Sequence, residues 1–148
     1  MIAVDTNLLV YAHRAGCAEH GAARKAIEGA ANDPRGWGVP FSCVLEFWSV
    51  VTHPSSLGGE STAGSARGFL QALIETGGAT IFPPAASLVP RCLQIAEQLG
   101  LRGARIFDVQ VGLCALEAGA TEIWTHDAGF IALPGLKVLD PLRPAGRP

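Results

Sequence analysis

The sequence has no surplus of basic charge: 11 Lys and Arg against 13 Asp and Glu leave a formal charge of −2. That balance excludes recognition of nucleic acid by bulk charge, so any such partner must be held by a local patch or through a metal ion. No apolar run approaches the roughly 18 residues of a membrane-spanning helix. The opening residues, Met1-Ile2-Ala3-Val4-Asp5, lack the basic region of a secretory leader, and none is expected. Cysteine is scarce and scattered. Cys17, Cys43, Cys92 and Cys114 show neither C-x-x-C spacing nor close pairing, which points to buried free thiols and a reducing cytoplasm.

What is present describes one globular domain. A chain of 148 residues buries roughly 68–70% of the surface its unfolded form exposes, without help from disulfides. Hydrophobic residues make up 49% and charged residues 16%, too apolar for a disordered chain. A mean hydropathy of +0.29 implies either a large core or apolar surface kept for a partner. The domain is expected to span residues 1–141, with a Pro- and Arg-rich tail at 142–148 that frays.

Short apolar strands alternate with helical patterns, the signature of an α/β domain around a mostly parallel sheet. Strands are expected at Ile2–Val4, 79–82, 122–125 and 136–139. Residues 37–41 are too short and Pro-interrupted for more than a marginal strand. Helices are expected over residues 19–30, then from a capping Ser42 to about Thr52 with the stripe Val44, Phe47, Trp48, Val51. Further helices should carry Ala66, Phe69, Leu70, Leu73 and Ile74, and, over residues 87–99, Val89, Cys92, Leu93 and Ala96. Residues 105–118 are apolar nearly all round, so that helix should be buried. A short helical turn is expected between the last two strands.

Four acids sit in apolar company. Asp5 follows Ile2–Val4 directly, Glu46 lies in Val44-Leu45-Glu46-Phe47-Trp48, Asp108 in Ile106-Phe107-Asp108-Val109, and Asp127 follows Ile123-Trp124-Thr125-His126. An ionised carboxylate there is costly unless its charge is compensated. Asp5 and Asp127 end predicted strands, where open parallel sheets bind ligands. Asp108 opens a helix whose stripe Asp108, Gly112, Ala115, Gly119 would let a neighbouring backbone approach. Converging acids must protonate or hold a cation, since two like charges 4 Å apart cost about 4 kcal/mol at an effective dielectric near 20. Oxygen ligands suit Mg²⁺ or Mn²⁺, and such a centre hydrolyses phosphodiesters. Singly, each acid has a structural reading: a helix cap at Asp5, a dipole partner at Asp108, a rim residue at Glu46, a turn at Asp127. The joint pattern carries the functional one.

Val4-Asp5-Thr6-Asn7, the Glu in an apolar helix, Phe107-Asp108 opening a helix and Thr125-x-Asp127 after a strand together resemble a PIN domain. Thr125-His126-Asp127-x-Gly129-Phe130 and the compact size are similar to VapC-type toxins of bacterial toxin–antitoxin pairs. The resemblance implies a sheet flanked by helices and Mg²⁺- or Mn²⁺-dependent RNA cleavage. It makes Asp5, Glu46, Asp108 and Asp127 the metal-binding acids, with Thr6 and Asn7 orienting Asp5 and Thr125 orienting the acids or a phosphate. It also implies a small antitoxin covering the site, a homodimer and a bacterial cytoplasm. Many relatives carry a further Asp where this chain has Gly129, so one firmly bound ion is expected. Trp37, Phe47, Trp48 and Phe69 are candidates for the antitoxin groove or for the core. Arg102 and Arg105 are candidate contacts to RNA phosphates. None of His13, His20, His53 and His126 is assigned a role, and His126 is expected to face away from the site.

Three other readings compete. An aspartate-nucleophile phosphatase would want a second Asp at position 7 and a suitable Lys, and lysine occurs only at positions 25 and 137. A DNA-acting PIN nuclease would want an inserted arch. A non-catalytic PIN-like RNA-binding module would have lost acids that this chain keeps.

Overall fold

The computed structural model describes residues 1–56 and 58–143, so most of the expected tail, residues 144–148, lies outside the described residues. Eleven elements follow one another as β1 (Ile2–Val4), α1 (Thr6–His13), α2 (His20–Ala31), β2 (Trp37–Pro40), α3 (Phe41–Val51), α4 (Ala63–Glu75), β3 (Thr80–Phe82), α5 (Val89–Gln98), α6 (Ile106–Glu117), β4 (Glu122–Trp124) and β5 (Lys137–Leu139). Single 3₁₀ turns at Ala86–Leu88 and Gly103–Arg105 lead into α5 and α6. The five strands form one sheet in the order β3-β2-β1-β4-β5, every pair parallel. The strand order reverses at β1, which lies between β2 and β4. A crevice therefore opens beyond the C-terminal ends of β1 and β4.

Burial explains where sequence pattern and structure part company. Helix α1 follows Asp5 directly and buries Leu8, Leu9, Val10 and Ala12. A contiguous apolar run of that kind has no helical period to read. Strand β2 is no marginal element: all four of its residues are buried. Pro40 ends the strand and caps α3, where a missing N–H costs nothing. Gly38 sits where an added Cβ would overlap the Thr80 carbonyl oxygen and the Phe82 ring, so β2 and β3 close together only around glycine.

Helix α3 starts one residue before Ser42, with Pro40 as its cap, and its buried stripe is Cys43, Phe47 and Val51. Trp48, expected inside, is 38% exposed. In α5 the inward residues are Cys92 and Ile95, which join Leu88 against Val109, Leu113 and Leu133; Val89 and Leu93 face outward. On α6, Gly112 meets the Leu133 side chain and not a neighbouring backbone. Hydrogen-bonded turns, not a helical turn, join β4 to β5. At the tail, Leu142 packs on the core and its amide donates to Asp140, so residues through Arg143 are held. Among the described residues, no helix is long and apolar enough to cross a membrane. All four cysteines are free, Cys43 and Cys114 buried, Cys17 and Cys92 only partly so.

Candidate active site

A cleft of about 480 Å³ opens at the strand-order reversal, and Asp5, Glu46, Asp108 and Asp127 all line it. Four separate segments deliver them. Asp5 stands at the junction of β1 and α1, where its extended backbone lets the carboxylate cap the helix by accepting the Thr6 amide at 2.7 Å. Glu46 comes from the outer side of α3, Asp108 from the first turn of α6, and Asp127 from the turn after β4.

Asp5 is the fixed point. Only 9% exposed, its Oδ2 accepts from Asn7 Nδ2 at 2.9 Å and from the Thr125 hydroxyl at 2.7 Å. The same Thr125 oxygen accepts from Asn7 Nδ2 at 2.8 Å and from the Asp127 amide at 3.1 Å. Asn7 Oδ1 in turn accepts the His126 amide at 2.9 Å. These bonds lace the β1–α1 junction to the end of β4. Thr6 donates from its hydroxyl to Glu46 Oε2 at 2.6 Å, tying α1 to α3. Asp127 Oδ1 accepts the Gly129 amide at 2.7 Å, which sets the turn that presents the acid.

Electrostatics mark the cleft as short of positive charge. Burial pushes the Asp5 carboxyl above its ordinary value and Glu46 adds to this, against the hydrogen bonds from Thr125 and Thr6. Burial also raises Asp108, with Asp127 and Glu46 adding and Arg105 opposing. Beneath Asp5, burial holds the Cys43 thiol well above its usual range, so it stays protonated and points its sulfur at Asp5 Oδ1 from 3.7 Å. Among the described residues lining the cleft, Arg105 is the one cationic side chain. No three His, Cys, Asp or Glu side chains among the described residues close on one point as a finished ligand set. The acids surround the cleft instead. Carboxylate oxygens are the donors that suit a hard divalent cation, one that keeps several of its own waters.

Thr6, Asn7 and Arg105 also line the cleft, while Thr125 lies buried behind it. Arg102 is exposed on the loop before α6 and outside the lining. His126 is outside it too: its Nδ1 lies 2.9 Å from Asp140 and its ring meets Tyr11 edge-on. Trp37 and Phe47 are core residues, at 3% and 0% exposure, and Phe69 stacks on Phe47. Tyr11 and Val111 belong to the lining without any sequence signal to announce them; Phe130, from the motif after β4, joins them. Cys43, expected only as a buried thiol, lies one turn before Glu46 on α3.

Comparison with known proteins follows the same lines. The family model for the PIN domain matches residues 2–136. Ribonuclease VapC43 of Mycobacterium tuberculosis is 32% identical over 142 residues, covering 96% of each chain. Two solved structures share the fold. VapC20 of Mycobacterium tuberculosis, described as a sarcin-ricin loop cleaving toxin, gives a TM-score of 0.67 at 18% identity, over 88% of this chain and 92% of its own. VapBC2 of Rickettsia felis, solved with a DNA fragment from its promoter, gives 0.66 at 19% identity, over 94% and 98%. A match running from β1 through β4, the strands that carry the cleft, makes this chain a member of the PIN domain family, related to the VapC ribonucleases.

Proposed function

We propose that the chain is a metal-dependent endoribonuclease that hydrolyses RNA phosphodiester bonds as the toxin of a type II toxin–antitoxin pair. The observation that carries this reading is the gathering of four carboxylates from four segments around one cleft with a single arginine to offset them. The kinship with a ribonuclease and the likeness in fold to a protein described as a toxin support it.

Asp5, Glu46, Asp108 and Asp127 would hold Mg²⁺ or Mn²⁺, whose oxygen preference their carboxylates meet. Such an ion supplies charge to a phosphate oxygen and lowers the pKa of a water it binds. The remaining work falls to the chain. Thr6, Asn7 and Thr125 keep the Asp5 carboxylate at one orientation, so no reorganisation is needed when RNA arrives. Glu46 Oε2 accepts from Thr6, which leaves Oε1 as the oxygen that would face the ion. Arg102 and Arg105 would meet RNA phosphates as point charges.

Phe107, 61% exposed, and Val50 form an apolar rim of the cleft suited to a small antitoxin that covers it. A homodimer acting in the cytoplasm completes the reading, in keeping with four unpaired thiols. The test is digestion of pooled cellular RNA with Mg²⁺ or Mn²⁺, comparing the wild type with Asp5→Asn and running branched DNA alongside. Metal-dependent cutting of RNA that disappears in Asp5→Asn is expected. Equal cutting by both proteins would overturn the site, preferential cutting of branched DNA would overturn the substrate, and metal uptake without cutting would favour a binding module.

A further inference from the structure

Arg105 ends the 3₁₀ turn before α6 and lines the cleft beside Asp108. Its Nη2 donates to the Gly129 carbonyl at 2.7 Å, and its Nε lies 3.7 Å from Asp108 Oδ2. The guanidinium thus spans from α6 to the turn that carries Asp127. Gly129 leaves room for it: a Cβ at that position would lie 3.1 Å from Arg105 Nη1 and 3.2 Å from Asp127 Oδ1. A side chain at 129 would crowd both and shift at least one by a few tenths of an ångström. The planar fork of arginine is what allows a single group to bond a carbonyl on one side and face a carboxylate on the other.

We infer that Arg105 is a built-in cation of this cleft, filling the place between Asp108 and the Asp127–Gly129 turn so that the site takes one divalent ion and not two. This rests on the reading of the cleft as a divalent-cation site. A second ion would have to share its ligands with a like-charged guanidinium or push it off the Gly129 carbonyl. Arg105 therefore acts as a positioning residue, setting both the charge of the cleft and the stance of the Asp127 turn.

Titration with Mn²⁺, followed by the electron paramagnetic resonance signal of the free ion, reads the number of ions bound per chain. Half-exposure of the Arg105 side chain makes substitution there compatible with folding, which circular dichroism verifies. The wild type should saturate at one ion, Arg105→Lys at one because the charge is kept, and Arg105→Gln at two. A wild type that takes two ions, or Arg105→Gln that still takes one, overturns the inference while leaving the metal site intact. A wild type that takes none, while Asp5→Asn behaves identically, overturns the metal-site reading and this inference with it.

Discussion

Replacing Thr125 with valine keeps the shape of a fully buried side chain and removes one oxygen. That oxygen donates to Asp5 Oδ2 and accepts from Asn7 and from the Asp127 amide. Asn7 Nδ2 keeps its bond to Asp5, and the Asp127 amide, on an exposed residue, turns to water. The unreplaced loss is the hydrogen bond to a buried carboxylate, worth about 1.5–3 kcal/mol. Thr125→Val should therefore destabilise the fold by about 2 kcal/mol, which in a chain of this size lowers Tm by about 4–8 °C. Thr125→Ser is the comparison: it keeps the hydroxyl and loses one buried methyl, about 0.8 kcal/mol. Thermal and urea unfolding in a chelating buffer measure both without contribution from bound metal. A valine variant as stable as the serine variant would refute the claim that the hydroxyl, and not the packing of the side chain, holds this corner of the cleft.

Other perturbations test other parts of the molecule. Gly38→Ala places a methyl group against the Thr80 carbonyl and should cost about 3 kcal/mol or more, seen as loss of soluble folded protein or of its circular dichroism. Hydrogen bonding from Arg35 holds the Glu122 carboxyl below its ordinary value of 4.5. The stability it contributes is thus present above that value and lost as pH falls through the lower folded value. Glu122→Gln should flatten the acid limb of the unfolding profile as pH falls through and below the ordinary value of 4.5; superimposable profiles would count against the Arg35 pairing. Arg102→Glu should weaken binding of an RNA oligonucleotide and lower its salt dependence, as removal of about one phosphate contact requires. Unchanged affinity and slope would remove that role.

The parts legible in the sequence were those in which a local rule and the tertiary environment agree. Ile2–Val4 reads as a buried strand because it is apolar and short, and it is one. The acids at positions 5, 46, 108 and 127 stand out because apolar neighbours make a carboxylate there expensive, and all four line one cleft. Legibility failed where packing overrode pattern. Helix α1 is buried on so much of its circumference that Leu8, Leu9 and Val10 carry no period. Strand β2 combines Gly38 and Pro40, two residues that argue against a strand, yet one is required by the close approach of β3 and the other stands at its end, where α3 begins. The stripe on α5 is offset because that helix packs on a small secondary cluster around Val109 and Leu133.

The position of β1 in the sheet has a consequence for how the protein comes into being. Strand β1 is flanked by β2, which follows it soon in the chain, and by β4, which arrives near residue 122. A growing chain that has not yet delivered β4 has Asp5, Glu46 and Asp108 but neither Asp127 nor the hydroxyl of Thr125 that fixes Asp5. Assembly of the cleft thus waits for β4 and the turn after it, and a translation product interrupted before that point is a fragment without a complete set of acids.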